Sequence, residues 1–342
     1  MKFRTLGKSN IEASVIGFGA WAIGGWTWGG TDEQESIRAI HAFLDAGGTL
    51  IDTAPIYGFG RSEEIVGKAI ANRRDDVVLA TKCSMRWDLD DEQKKRAQKK
   101  FSTSEDIFDQ PGERSKDSFD VYIYAGADGI RNEIEQSLKR LRTDVIDLYQ
   151  THWQSDEVEI EEKMGVLEDL RREGKIRAIG VSNASVEQIA EYQKFGQVDT
   201  DQEKFSMLDR QMESSNLAKC ESDEIGFLAY SPLSQGLLTG KIDPDREYPD
   251  GDQRRFKERF KPENVRKVHA MLDPMKPIAE KHGISMAQLT IAWTLAQPGC
   301  SHVLAGARNP QQAIDNVGAG AVDLEKDELE TITQAVHSYD GV

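Results

Sequence analysis

The sequence is poor in cysteine and has no long apolar run. Its only cysteines, Cys83, Cys220 and Cys300, are odd in number and widely spaced, which excludes a disulfide framework. The six histidines show no ligand spacing, so we predict no bound metal. The longest uncharged stretch, residues 15–31, contains six glycines and is too short to span a membrane. We therefore expect no membrane segment, no secretory signal and a cytoplasmic location.

The sequence also has fewer basic than acidic residues. Lys and Arg number 43 against 59 Asp and Glu, which gives a net charge of −16. Because a phosphate backbone requires clustered positive charge, this balance argues against a nucleic-acid partner. Hydrophobic residues make up 38% of the 342 residues, enough to build a substantial core. We expect a small-molecule partner, and the composition is compatible with a homo-oligomer.

Short apolar runs alternate with amphipathic segments along most of the chain. Each run is continuously apolar, which is typical of a parallel sheet covered on both faces. Between the runs, helical patterns begin at capping residues such as Ser62, which we expect to cap the second helix. Eight strands are predicted in this way, at residues 15–19, 49–53, 77–80, 145–149, 176–181, 198–202, 226–230 and 302–305.

Eight strands separated by helices favour a closed (β/α)8 barrel, with an open doubly wound sheet as the alternative. We expect one domain over residues 1–342. Before the first strand, residues 3–6 and 12–14 predict a hairpin that covers the barrel floor. Residues 86–127 are highly charged and interrupt the alternation after the third strand. They predict an insertion at the barrel mouth, part helical and part irregular, that serves as a lid or oligomer contact or is a disordered surface loop.

Polar residues follow the predicted strands, and the carboxyl ends of barrel strands form the active site of this architecture. Asp52, Lys82 and His152 end the second, third and fourth strands, and Tyr57 lies in the loop after the second. Each alone could be a capping or rim residue. Together they could transfer a proton, with Tyr57 as the acid, Lys82 lowering the phenol pKa, Asp52 holding Lys82 charged and His152 donating to a carbonyl oxygen.

Two nucleotide-binding motifs are present only in part. Gly17, Gly19 and Ala22 match a dinucleotide-binding pattern, but the residues that follow cannot open the helix that this pattern requires. The segment GLLTGK, which ends at Lys241, has too few residues between its glycines for a phosphate loop. Neither a Rossmann site nor an ATPase is indicated.

Seven segments in order carry a family resemblance: RTLGKSN with IGFGAW, IDTAPIYGFGRSEEIVGKAI, VLATK, SLKRLRTDVIDLYQTHW, GKIRAIGVSNAS, LAYSPLSQGLLTGK and AGARNPQQAIDN. The chain resembles the aldo-keto reductases over nearly its whole length, in particular a bacterial branch close to the voltage-gated potassium channel β subunits. The resemblance implies an NADPH-dependent reductase of aldehydes or ketones, with Asp52, Tyr57, Lys82 and His152 as the catalytic residues.

The resemblance also implies a cofactor site along the barrel mouth. Its nicotinamide end is expected at Gly19, Trp21, Asp52, Ser182, Asn183, Gln202 and Tyr230, its pyrophosphate at Ser231, Leu233, Gly236 and Lys241, and its adenosine end at Gly306, Arg308, Gln312 and Asn316. Asn309 and Pro310 independently predict a helix start beside Arg308, which would suit a 2′-phosphate and favours NADP over NAD. Residues 241–262 are expected to fold over the cofactor, latched by Asp252, Arg254 and Arg255.

Three functions are compatible with these residues. The first is carbonyl reduction with NADPH. The second is a redox sensor that binds the cofactor but turns over poorly, although the presence of His152 favours catalysis. The third is a Schiff-base lyase, in which Lys82 attacks a carbonyl group.

Overall fold

The computed structural model describes residues 1–103 and 119–341. Its strands, numbered along the chain, are β1 (Phe3–Thr5), β2 (Glu12–Ser14), β3 (Ile16–Gly19), β4 (Leu50–Asp52), β5 (Val78–Cys83), β6 (Met85–Arg86), β7 (Gln98–Thr103), β8 (Phe119–Ile123), β9 (Ile146–Thr151), β10 (Ile176–Ser182), β11 (Thr200–Lys204), β12 (Gly226–Tyr230) and β13 (Cys300–Gly306).

The helices follow the strands in the expected alternation. They are α1 (Glu33–Asp45), α2 (Arg61–Ile70), α3 (Asp91–Lys94), α4 (Ala127–Leu141), α5 (Ile160–Arg172), α6 (Val186–Phe195), α7 (Asn216–Asp223), α8 (Pro262–Leu272), α9 (Lys276–His282), α10 (Met286–Leu295), α11 (Pro310–Gly318) and α12 (Lys326–His337). Within the described ranges, none of these helices is both long and apolar enough to cross a membrane.

Eight parallel strands close into a barrel in the order β3-β4-β5-β9-β10-β11-β12-β13, with β13 paired to β3. The predicted (β/α)8 barrel is therefore confirmed, and the open sheet is excluded. All eight predicted strands overlap barrel strands. Since each runs in the same direction, their carboxyl ends meet at one mouth, where the polar residues singled out in the sequence are collected.

The amino-terminal hairpin, β1 paired antiparallel with β2, is also confirmed. Leu6, Ile11 and Ala13 from this hairpin are buried in the same apolar cluster as Leu50 and Leu148 from the barrel strands. The hairpin thus contributes apolar side chains to a cluster formed with barrel strands. A larger apolar cluster unites the barrel strands with the helices.

Ser62 does not cap the second helix, contrary to the prediction. Gly60 occupies the capping position of α2, and Ser62 lies inside its first turn. There the Ser62 hydroxyl donates to the carbonyl of Ala20 at 2.8 Å and lies 2.9 Å from the hydroxyl of Thr53. The residue therefore joins the ends of two barrel strands, a contact between distant segments that a local capping pattern does not reveal.

The predicted insertion, residues 86–127, contains more strand than expected. β6, β8 and β7 form a three-stranded antiparallel sheet in that order, and the single turn of α3 lies between β6 and β7 along the chain. The predicted helical part is present as α3, but the strands were not predicted, because β7 is a largely exposed strand with little apolar alternation. Residues 104–118 of the insertion lie outside the described residues.

Candidate active site

The four predicted catalytic residues meet at the barrel mouth. Lys82, near the end of β5, is fully buried, and its Nζ atom donates to Oδ2 of Asp52 at 2.6 Å and to the carbonyl of Thr53 at 3.0 Å. The same Nζ atom lies 3.4 Å from the Tyr57 hydroxyl. The His152 ring stands edge-on to the Tyr57 ring with 5.7 Å between centroids. An acid, a phenol, an amine and an imidazole therefore surround one small volume.

The Tyr57 loop depends on two glycines that touch. The amide of Tyr57 donates to the carbonyl of Ala54 at 3.1 Å, which begins a tight turn. Gly58 has a φ of +67°, and a Cβ atom there would lie 2.2 Å from the carbonyl oxygen of Gly24. A Cβ on Gly24 would lie 2.7 Å from the Tyr57 backbone. Because any side chain at either position would push these segments apart, the glycines let Tyr57 approach Lys82.

His152 is held through its backbone. Its amide donates to the carbonyl of Cys83 at 2.9 Å, and its own carbonyl accepts from the side chain of Asn183 at 2.9 Å. Burial, followed by the charges of Lys82 and Lys100, lowers the pKa of His152 well below 6.5. The imidazole is therefore neutral at neutral pH, the form that can donate a hydrogen bond to a carbonyl oxygen without releasing a proton.

The phenol pKa moves in the opposite direction from the sequence expectation. Burial and the Asp52 carboxylate raise the pKa of Tyr57 well above 10.0. Burial lowers the pKa of Lys82, and Asp52 partly offsets that effect. Burial is the larger cause, and the Lys82 charge does not offset it because that charge is paired with Asp52 at 2.6 Å rather than with the more distant Tyr57 hydroxyl. Tyr57 is thus protonated at rest, as a proton donor must be.

Asp52 has two further partners inside the barrel. Its Oδ1 atom accepts from Gln202 at 2.8 Å and from Gln150 at 3.3 Å. Gln202 was predicted as a cofactor contact, whereas Gln150 was not singled out, because it lies just beyond the strand predicted at residues 145–149. These amides spread the Asp52 charge and fix the carboxylate toward Lys82.

A cavity of about 400 Å³ extends from Asp52 and Tyr57 across the barrel mouth. Its wall contains most of the predicted cofactor residues: Gly19, Trp21, Asp52, Gln202, Tyr230, Ser231, Leu233, Gly236, Lys241, Gly306, Arg308, Gln312 and Asn316. Ser182 and Asn183 lie directly behind it. The Ser182 hydroxyl donates to the carbonyl of Gln202 at 2.7 Å, and Asn183 accepts from the Tyr230 hydroxyl at 2.9 Å.

Two segments far apart in sequence meet beside this cavity. Trp28 and Asp252 form an isolated antiparallel bridge, and the amide of Gln253 donates to the carbonyl of Thr27 at 3.0 Å. Arg254 pairs with Asp252 at 2.6 Å, whereas Arg255 is exposed and pairs with Asp250. Trp28 and Arg254 line the cavity. Two members of the predicted latch, Asp252 and Arg254, therefore take part in this contact, and Arg255 does not.

At the predicted anion site, the Arg308 side chain already donates hydrogen bonds to backbone carbonyl groups. Asn309 caps α11 as expected, with its side chain accepting from the amide of Gln312 at 2.9 Å. The guanidinium of Arg308 donates to the backbone carbonyls of Trp28 and Gly30. Asp315, which was not singled out, lines the same end of the cavity. Among residues 1–103 and 119–341, no three His, Cys, Asp or Glu side chains are grouped to hold a metal ion.

Residues 15–337 match the model of the aldo/keto reductase family. The chain belongs to this family. It is similar to the aldo-keto reductase YhdN of Bacillus subtilis, with 41% identity over 315 residues that cover 91% of this chain and 86% of YhdN. It is also similar to an NADH-specific methylglyoxal reductase of Escherichia coli, with 40% identity over 330 residues and 95% of each chain covered.

Solved structures of aldo/keto reductases share the fold. A glycerol dehydrogenase from Gluconobacter oxydans superimposes with a TM-score of 0.83 at 36% identity, covering 99% of this chain and 95% of the dehydrogenase. An aldo-keto reductase from Klebsiella pneumoniae in complex with NADPH gives a TM-score of 0.71 at 26% identity, covering 100% of this chain and 97% of that one. As a member of the family, this aldo/keto reductase is an oxidoreductase.

Proposed function

We propose that this aldo/keto reductase reduces aldehydes or ketones to alcohols with NADPH. The observation that carries the proposal is the contact between Lys82, Asp52 and Tyr57 beside a cavity of about 400 Å³ that extends to Arg308. The lyase alternative is disfavoured, because a lysine nucleophile must be neutral and accessible, whereas Lys82 is fully buried and paired with a carboxylate.

Each of the four residues has a separate role in the proposed reduction. A bound reduced nicotinamide supplies hydride to a carbonyl carbon. Tyr57 then delivers its proton to the carbonyl oxygen, and Lys82 stabilises the phenolate that remains, since its Nζ atom is already 3.4 Å away. Neutral His152 orients the carbonyl oxygen through a hydrogen bond. Asp52 keeps Lys82 oriented and offsets the cost of burying its charge.

The charges around the cavity fit an anionic dinucleotide. In a chain with a net charge of −16, the cavity wall contains Lys241, Arg246, Arg254 and Arg308. Glycines at positions 19, 236 and 306 leave the wall free of side chains where a pyrophosphate would approach the backbone. The Arg308 guanidinium supports NADPH, whereas Asp315 and the NADH-specific relative support NADH. We place NADPH first because the cavity carries more cations than a pyrophosphate alone requires.

A turnover assay tests this proposal. Purified protein is mixed with an aromatic aldehyde and either NADPH or NADH, and loss of absorbance at about 340 nm, the reduced nicotinamide band, is followed. We expect consumption of cofactor and a kcat for Tyr57→Phe that is lower by a factor of about 10² or more, with an unchanged cofactor Kd. Cofactor binding without turnover over a broad carbonyl panel would overturn the proposal in favour of a redox sensor.

A further inference from the structure

The sheet of the insertion contains a bulge that carries a lysine. In the register of β7 and β8, Lys99 pairs with Tyr122 and Phe101 pairs with Val121. Lys100 is therefore the extra residue between two pairs. A bulge of this kind changes the direction of the side chain it carries, and such bulges are common beside active sites.

The bulge places the Lys100 ammonium on an aromatic ring next to His152. Its Nζ atom lies 3.5 Å from the centre of the Trp153 ring, a cation–π contact. The neighbouring lysine differs, because Lys99 pairs with the Asp120 carboxylate at 2.8 Å. Among the residues that the structure describes, no ion pair joins Lys100 to a carboxylate, and burial is the one influence found on its pKa, which it lowers.

The Lys100 charge acts on the catalytic volume. Burial is the main cause of the lowered pKa of His152, and Lys100 is one of two cations, with Lys82, that lower it further. The ring beneath it, Trp153, packs in the same aromatic cluster as Tyr57, Phe101 and Trp26. Phe101, the next residue of β7, stacks on Trp26 with 5.8 Å between ring centroids. The ammonium thus stands above an apolar wall that continues to the proton donor.

We infer that Lys100 selects carbonyl substrates that carry an oxyanion, a carboxylate or a phosphate, near the reacting group. The cation–π contact leaves the hydrogen-bond donors of the ammonium available, and an oxyanion beside Trp153 would supply the negative partner that the described residues do not. This inference rests on the proposed function, because it assigns the substrate class of the same site.

Matched aldehydes test the inference. We compare kcat/KM for para-formylbenzoate with kcat/KM for its methyl ester, which has the same ring and carbonyl but no charge. A second pair, glyceraldehyde phosphate and glyceraldehyde, distinguishes phosphate from carboxylate. The ratio of anionic to neutral substrate is measured for the wild type, Lys100→Met, Lys100→Arg and the matched control Lys99→Met. Because the two substrates in each ratio are measured with the same variant, a smaller fraction of folded protein lowers both values equally and leaves the ratio unchanged.

We expect an anionic preference of about tenfold for the wild type in at least one pair, equal to about 1.4 kcal/mol. Lys100→Met should bring the ratio close to one, Lys100→Arg should retain most of it, and Lys99→Met should leave it unchanged. Added salt should reduce the wild-type ratio. A wild-type ratio at or below one in both pairs, or an unchanged ratio in Lys100→Met, would overturn the inference while carbonyl reduction stands. Reduction of none of the four aldehydes would contradict the proposed function itself.

Discussion

The Nζ atom of Lys82 donates a 2.6 Å hydrogen bond to Oδ2 of Asp52, with both side chains buried at the centre of the barrel mouth. Water cannot screen this pair, so each charge depends on the other. The two residues differ in their other contacts, because Lys82 contacts Tyr57 whereas Asp52 accepts a hydrogen bond from Gln202. We therefore propose that Asp52 is a positioning residue for the lysine.

Asp52→Asn should remove the charge that keeps Lys82 protonated and in place. We expect kcat/KM for aldehyde reduction to fall by roughly 10² to 10⁴, and the free energy of unfolding to fall by about 3 kcal/mol because a buried ammonium loses its partner. Steady-state kinetics and denaturant unfolding measure the two effects.

A matched control separates activity from stability. Asp147 on β9 is also buried and pairs with Arg74 and Arg177, but it lies at the opposite end of the strand from His152. Asp147→Asn should lower stability and leave kcat/KM per folded molecule close to that of the wild type. Equal losses of kcat/KM in both variants would show that Asp52 acts only through the fold.

The pH dependence of reduction follows from two pKa shifts of opposite sign. The pKa of His152 is lowered below 6.5, so the imidazole stays neutral as the pH falls to that value. The pKa of Tyr57 is raised above 10.0, so the phenol stays protonated as the pH rises. We expect kcat/KM to be flat between about pH 6.5 and 8. An acid limb centred near pH 6.5 that disappears in His152→Gln would contradict this prediction.

Arg308 and Asp315 should set the cofactor preference in opposite directions. Both line the same end of the cavity, where a 2′-phosphate would be attracted by the guanidinium and repelled by the carboxylate. We expect Arg308→Met to lower the NADPH-to-NADH ratio of kcat/KM by about tenfold and Asp315→Asn to raise it by a smaller factor. The ratio is the informative quantity, because Arg308 also holds the backbone of Trp28 and Gly30, which both cofactors would need.

The fold and the meeting of the candidate catalytic residues at one mouth could be predicted because their signals are local. Strands such as β5 and β10 are buried on both faces, so their sequences are mostly apolar. Because the active sites of such barrels lie at the carboxyl ends of the strands, Asp52, Lys82 and His152 could then be selected. The barrel closure itself rests on the pairing of β13 with β3, which no local pattern specifies.

Other features depend on contacts between distant segments. The bridge between Trp28 and Asp252 and the hydrogen bond from Ser62 to Ala20 each join segments that are far apart in the sequence. The Tyr57 pKa was predicted to fall, since the sequence places a lysine nearby without showing that burial acts on the phenol or that Asp52 is the closer partner of that lysine. Such electrostatic outcomes depend on burial and on short distances between charges, and neither can be read from a sequence pattern.

A buried carboxyl outside the site predicts how stability depends on pH. Glu133 on α4 is 1% exposed, and its Oε2 atom accepts from the amide of Ser84 at 2.8 Å. Burial raises the pKa of Glu133 from 4.5 to about 8, despite the opposing charge of Arg86. Because the folded state holds this proton more tightly than the unfolded state, the stability it contributes is complete below pH 4.5 and is lost as the pH rises through 8.

Glu133→Gln should remove this loss of stability at high pH, since an amide oxygen can still accept a hydrogen bond from the amide of Ser84 but does not titrate. Between pH 6 and 9 we expect the wild type to lose about 2 kcal/mol more unfolding free energy than the variant. Denaturant unfolding at the two pH values measures the difference, with the exposed Glu221→Gln as the control. Asp201 and Glu203, buried carboxyls whose pKa values are raised to about 7 and about 9, will leave some pH dependence in the variant. If the variant and the wild type lose the same free energy between these pH values, Glu133 is ionised in the fold at neutral pH and its charge is balanced by Arg86.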